Sequence, residues 1–557
     1  MSFDREKLKA RIEEHLYAYV GTRSDTGTHH ERNIEKFYEK WFKEVPYFME
    51  NPEHCGIFKI PGDHLERHVP WALLKGEGDE TIVLLHHSDT VDSKDYLTLG
   101  DIALKPEELE RALREGKLSM PEDAKQDLES GEWLFGRGTN DMKGGAAIHI
   151  AMMEEYTKEK NFKGNLLLIA APDEENLSAG AIGAAYLLND LSEKYGLKYK
   201  LCLLAEPDTT EGTFHNGSAG KIMPLIYVRG KIAHVGRVYD GLSPVKILAK
   251  IMDSLDLNPG FIETDGQTTT PAPAFLYAKD HKEIYDVSLP TTASGFMSVF
   301  CLERTPKELI ELTRGICEEA MGEAIKSVAN SFAEFKRIGK FPEFLRIGNF
   351  GRDENPWKVN VKLYSELYEE ALRDSGDEFI KEINKTKEEL SLKVKASQIT
   401  LTRASHEIIE RTLGFVKDLS PVVIITLIPP YYPCVSNAKL PEEGKFIDGI
   451  CDLLIAYAKE KNNHNYLKSL ATYMCDFSYM MQTDSKEDNE YIENNMLMWG
   501  DGYYIPFEKI RKISMPLLNV GPLGRGIHQF TERVLKSDVF YTIPDYVDFT
   551  VRKVLGH

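Results

Sequence analysis

Apolar residues recur along the chain in two rhythms. Between residues 4 and 19 they fall at helical spacing, Leu8, Ile12, Leu16 and Tyr19, which predicts an amphipathic helix. After a turn rich in Ser, Thr, Asp and Gly, Thr28 and Glu31 have the spacing of a capping box for a second helix. Thr81-Ile82-Val83-Leu84-Leu85 and Asn165-Leu166-Leu167-Leu168-Ile169-Ala170-Ala171 are instead short, unbroken apolar runs, the pattern of strands buried on both faces. A third run spans Lys200 to Ala205. Helical patterns fall between the runs, at Gly145 to Tyr156 and Ser178 to Leu191. Strand alternating with helix predicts an α/β fold, a mostly parallel sheet with right-handed crossovers.

The pattern changes character near residue 216. Lys221 to Val228, Ser294 to Leu302 and Val422 to Leu427 read as strands, Ser243-Pro244 and Thr305-Pro306 open helices, and residues 330–420 are charged and mostly helical in pattern. These strand–helix pairs predict an inserted α+β domain. Pro516 to Val520 reads as a last strand of the first sheet, with a closing helix from Thr531 to Leu535. The expected division is therefore a sheet-bearing domain over 1–216 and 433–557, interrupted by residues 217–432. A chain of 557 residues is long enough for such separate cores.

Charge narrows the partners. With 88 acidic against 68 basic residues the net charge is −20, which argues against nucleic acid and anionic membrane. No apolar run approaches the roughly 20 residues that span a bilayer, and Met1 to Lys7 is charged without an apolar signal core. The 7 cysteines are odd in number and show no C-x-x-C spacing, which predicts reduced thiols. The expectation is a soluble cytoplasmic protein.

The chemistry gathers where the predicted strands end. The first run closes in His86-His87-Ser88-Asp89, where His87 and Asp89 share a side and suit a metal ligand and the carboxylate that orients it. His86 points the other way and reads as structural. A Gly-rich turn, Phe135 to Gly145, delivers Asp141 at the mouth of a helix. The helix dipole favours an acid there by only about 0.3–1 kcal/mol; a cation favours it far more, although an ordinary capped turn has the same pattern. The second run ends in Asp173-Glu174-Glu175, adjacent acids that are costly unless solvated or paired with cations. The third ends in Glu206-Pro207, and a Gly-rich approach from Gly521 leads to His528. His29 and His30 read as surface residues and His149 as a core histidine. Two imidazoles and three carboxylates (His87, His528, Asp141, Glu175, Glu206) suit zinc or a similar divalent ion better than magnesium. If Asp141 bridges, His87 and Glu206 complete one site and Glu175 and His528 the other, with Glu174 left as general base.

These motifs resemble the M20 metallopeptidase/deacylase family. His87-Ser88-Asp89-Thr90-Val91 is similar to its H-x-D-x-V motif, and Gly136 to Gly145 to its bridging-aspartate motif. Asp173-Glu174-Glu175 resembles its base-plus-ligand pair, Glu206-Pro207 its E-P ligand, and His528-Gln529-Phe530-Thr531-Glu532 its H-x-x-x-E. The resemblance implies a zinc-exopeptidase-like catalytic domain with helices on both sheet faces, and an inserted α+β lid that serves as a dimerisation domain in a homodimer. It also implies two divalent metal ions, zinc first and cobalt or manganese as alternatives, and a cis Asp141–Met142 peptide. The implied substrate is a small peptide or an N-acyl amino acid.

Gly230 to Gly236 is similar to the family's lid motif, whose histidine, here His234, helps hold the substrate carbonyl. Two departures, a longer interval between His87 and Asp141 and the extra 330–420 region, look most like the arginine-utilisation RocB branch. Arg525 is a candidate grip for a substrate carboxylate. A non-catalytic binding protein on the same scaffold and a two-metal phosphoesterase stand as alternatives.

Overall fold

Buried apolar runs become neighbouring strands in the computed structural model, which describes residues 3–208, 212–340 and 356–556. The chain divides into two compact units, Met1–Ala219 with Pro433–Thr483 and Ile505–His557, and Gly220–Tyr432 with Asp484–Tyr504.

The first unit is built on one sheet. Its described strands are β1 (Cys55–Lys59), β2 (His68–Lys75), β3 (Glu77–His87), β4 (Lys163–Ala171), β5 (Lys198–Leu204), β6 (Thr213–Ser218), β7 (Val435–Ser436), β8 (Leu467–Ala471) and β9 (Leu517–Asn519). Their order is β1-β2-β4-β3-β5-β9-β6-β7, with β8 beside β6. The centre, β4-β3-β5-β9, is parallel. Antiparallel strands flank it: β2 and β1 on one side, β6 on the other. The pattern of the sequence did not announce β1 and β2. Pro70 sits inside β2 and breaks the signature of a central strand.

Alternate residues of the centre pack into different layers. Ile82, Leu84, Leu166, Leu168, Leu201 and Leu203 join a core with helices α1 (Arg5–Val20), α2 (Lys143–Thr157) and α4 (Ile543–Leu555). Helix α3 (Ala179–Tyr195) packs against β2 and β4. Gly145 lets α2 approach the end of β5: a Cβ there would lie 2.0 Å from the Ala205 carbonyl oxygen. That approach brings the turn carrying Asp141 beside the turn carrying Glu206.

The helix expected at Thr531–Leu535 is a strand. Arg533–Leu535 pairs antiparallel with Trp133–Phe135, setting buried Val534 opposite buried Leu134, and the closing helix follows it, a π-helical segment at Asp538–Thr542 leading into Ile543–Leu555. Cross-strand burial decides a stretch too short to hold a helix by itself.

In the second unit a sheet runs Ala274–Asp280, Thr292–Cys301, Pro224–Arg229, Val422–Leu427 and Val361–Leu363, with Gly220–Ile222 beside Thr292–Cys301. The helical reading of 330–420 is met by Pro306–Gly339, Tyr364–Lys395 and Leu401–Leu413, whereas 341–355 lie outside the described residues. The expected boundaries differ from these units at two points, the smaller being residues 217–219, which fall in the first unit. Residues 484–504, assigned by sequence to the sheet-bearing domain, belong to the second unit, because Leu497 and Met498 are buried with Leu225, Ile424 and Ile428 and Met496 bridges to Leu427.

Candidate metal centre

Parallel pairing places three chain ends side by side. His87 closes β3 opposite Ala171 of β4, the Asp173–Glu175 turn follows β4, and Glu206 follows β5. The turn that ends in Asp141 enters through Gly138, whose φ of 78° is left-handed and whose carbonyl accepts from the Lys143 N–H. The Asp141–Met142 peptide is cis, as the family resemblance implied.

The two oxygens of Asp141 address different neighbours. Oδ1 lies 2.9 Å from His87 Nε2, and Oδ2 lies 3.4 Å from His528 Nε2. Glu206 Oε1 is 3.8 Å from the same His87 nitrogen, and Glu175 is 3.0 Å from His528 Nε2. Two overlapping triads result, His87–Asp141–Glu206 and Asp141–Glu175–His528, each with its ligand atoms within 4.8 Å of one another. The expected five residues are thus brought together, and Asp141 is their shared member. Glu174 joins His87 and Glu175 in a third group.

Neighbouring groups fix these side chains. His87 Nδ1 donates to the Asp89 main-chain oxygen at 3.1 Å, which turns Nε2 toward Asp141. The Asp89 carboxylate stands farther off, 3.6 Å from Nδ1. Its oxygens instead accept from the Glu174 N–H (3.1 Å) and the Glu175 N–H (3.3 Å). Asp89 therefore fixes the backbone of Glu174 and Glu175, while its main-chain oxygen orients the His87 ring. Asn519 clamps Glu206 by accepting from its N–H and donating to its carbonyl.

Two residues had no role in the sequence reading. Glu532 Oε1 accepts from the Asn140 and Asp141 N–H groups, and its Oε2 takes Arg137 Nη1 at 2.6 Å. The H-x-x-x-E spacing was its only signal. Asp476 is buried beside the site, and nothing in its local sequence marks it.

Arg525 is placed differently from the expectation. Its guanidinium is taken up by Asp127 at 2.9 Å and stacks on Trp133, so its charge is already matched. His234 lies in the second unit and is exposed; its Nδ1 accepts from the Gly236 N–H at 3.0 Å, which leaves Nε2 as the donor nitrogen of the neutral ring. His86 is buried against the Tyr38 hydroxyl, and His149 is buried in α2, in line with their structural readings.

The electrostatics fit a cation. Burial, with Glu175 and Glu206 nearby, pushes the Glu174 carboxyl well above its ordinary range. Glu206 and Glu175 are raised by burial and by the Asp141 charge. Burial would raise Asp141 too, but hydrogen bonds from His528 and His87 hold it below the usual carboxylate range. Hydrogen bonds to Asp141 and Glu175 lift His528 to about 10. Burial pushes Asp476 up to about 8. So many carboxylates crowded out of water lack positive charge, and mixed imidazole–carboxylate triads are the donor set that borderline divalent ions take.

Residues 118–511 match the model of peptidase family M20/M25/M40, and the chain belongs to that family. It is a hydrolase of the M20 type. YqjN of Bacillus subtilis (strain 168) is 30% identical, over 97% of this chain and 95% of its own. RocB of the same organism is also 30% identical, over 98% and 95%. The crystal structure of aminopeptidase PepT from Bacillus cereus ATCC 10987 superposes with a TM-score of 0.52 at 14% identity, covering 98% of each chain. That likeness shows the fold.

Proposed function

We propose that the protein is a two-metal amide hydrolase, a peptidase or N-acyl amino acid deacylase acting on a small peptide or acylated amino acid. The observation that carries this reading is the division of Asp141 between two triads, Oδ1 toward His87 and Oδ2 toward His528. His87 and Glu206 would hold one divalent ion and Glu175 and His528 the other, zinc by donor chemistry. Bound there, such a pair polarises a carbonyl and makes water more acidic.

The protein's own groups do the rest. Glu174, grouped with His87 and Glu175 and already pushed toward a higher pKa by burial, takes a proton from the attacking water and returns it to the departing amine nitrogen. Asp89 holds the Glu174 and Glu175 backbone N–H groups, keeping the base and its neighbouring ligand in register. By the family resemblance His234 is the candidate to hold the substrate carbonyl, with Nε2 as its donor nitrogen. The departures shared with the RocB branch direct the substrate search to arginine and ornithine derivatives.

The test is amine release from a panel of small peptides and N-acyl amino acids, including those derivatives, by zinc- or cobalt-loaded protein with Glu174→Ala alongside. Cleavage of some members by the wild type and none by the variant supports the proposal. Two metal ions bound with no member cleaved counts against it.

A further inference from the structure

A buried guanidinium outside every motif holds the catalytic turn. Arg67, 2% exposed, stands between the turn after β4 and the loop that follows α1, residues 24–31. Its Nε and Nη2 serve Asp63, with Nη2 2.7 Å from Asp63 Oδ1. Its Nη1 reaches both Glu31 Oε1 at 2.8 Å and Asp173 Oδ1 at 2.5 Å. Asp173, immediately before Glu174, has a φ of 71°, a left-handed conformation that few non-glycine residues adopt. Its other carboxylate oxygen accepts from the Ala179 N–H at the start of α3, and Asn176 donates to the first. Arg67 therefore holds the side chain of the residue whose backbone aims Glu174 and Glu175.

The same Nη1 is linked to the His87 segment through Glu31. Glu31 does not close the capping box that its spacing suggested; its Oε1 accepts from the Gly27 N–H and from Arg67. The loop so fixed is laced to the strand end. Thr26 N–H donates to the Thr90 carbonyl, Thr90 N–H to the Ser24 carbonyl, and Ser24 Oγ to the Ser88 carbonyl. One fork-shaped cation thus joins the segment 88–90 to the turn 173–175. Lysine has no planar fork and cannot reproduce contacts in these several directions.

We propose that Arg67 is a positioning residue that sets the register of Glu174 and Glu175 against His87 by gripping Asp173 and Glu31 together. The consequence for metal binding and turnover rests on the two-metal reading above; the consequence for the turn itself does not.

The experiment compares wild type with Arg67→Lys and Asp173→Asn, the latter leaving Arg67 its contacts to Asp63 and Glu31. Amide hydrogen exchange is read in metal-free protein and zinc affinity by titration, with kcat and KM on any cleaved substrate. The expected result is exchange at least about tenfold faster over residues 173–180, confined to that turn and to 24–31. Zinc affinity should fall about 10–100-fold, and kcat should fall with KM nearly unchanged. A folded Arg67→Lys with wild-type exchange over 173–180 overturns the proposal. So does faster exchange spread evenly through the first unit, which is what a merely structural ion pair gives. If Arg67→Lys fails to fold, Asp173→Asn decides by the same exchange pattern. Wild-type protein that binds no zinc would defeat the two-metal reading, and the exchange comparison would still judge the clamp.

Discussion

Glu174 and Glu175 are adjacent, yet they have different neighbours. Glu175 lies 3.0 Å from His528 Nε2, whereas Glu174 is grouped with His87 and has its backbone tied to Asp89. Glu174→Ala is expected to lower kcat by about 10²–10⁴-fold, with metal stoichiometry unchanged by elemental analysis. Glu532→Gln tests the group behind the shared carboxylate. It keeps the shape but weakens the hold on the Asn140 and Asp141 N–H groups and on Arg137, so metal affinity is expected to fall about 10–100-fold. His87, Glu175 and Glu206 were legible in sequence because each is a costly group just after an apolar run, and Asp141 and His528 because each follows a Gly-rich turn. Glu532, Arg67 and Asp476 were not, because the groups they act on, Asn140 and Asp141 for Glu532 and Glu31 and Asp173 for Arg67, lie on other segments of the chain and no local pattern records such contacts.

At the scale of elements, α2 is the test piece. It is buried nearly all round, and His149 lies within it with no hydrogen-bond partner on either ring nitrogen among the described residues. Burial lowers this imidazole from 6.5 to about 3. A folded-state pKa below the unfolded value means that the unfolded chain takes up the proton first. The protonation of His149 therefore costs the fold nothing above pH 6.5 and destabilises it progressively as pH falls from there toward about 3. His149→Leu is expected to flatten the pH dependence of the urea midpoint between pH 7 and pH 5. An unchanged slope would remove His149 from the account. The helices and the three central strands were readable because their periodicity is set by burial on one or both faces. Arg533–Leu535 was misread because a three-residue stretch takes its state from Trp133–Phe135, across the fold. Pro70 hid β2 in the same way, by a local signal that the sheet overrides.

At the scale of the whole molecule, the sequence separated an α/β unit with a parallel centre from an inserted α+β unit, and its boundaries differ from the two units at residues 217–219 and 484–504. Among the described residues no helix is long and apolar enough to cross a membrane. The crowded carboxylates make a further demand on stability. Chelation is expected to lower the melting temperature, and added zinc to restore it, since a ligand at 100 times its Kd contributes about 2.7 kcal/mol. A melting temperature indifferent to chelator and zinc would mean that the triads hold no ion in the folded protein.

The central claim is that Asp141 is shared by two metal sites, and the number of metal ions per chain tests it most directly. After zinc loading and removal of excess ion, the wild type is expected to hold two. His528→Ala should hold one, because the His87–Asp141–Glu206 triad survives, and Asp141→Asn should hold neither tightly. A folded Asp141→Asn protein that keeps two ions, or a wild type that binds none, would contradict the account.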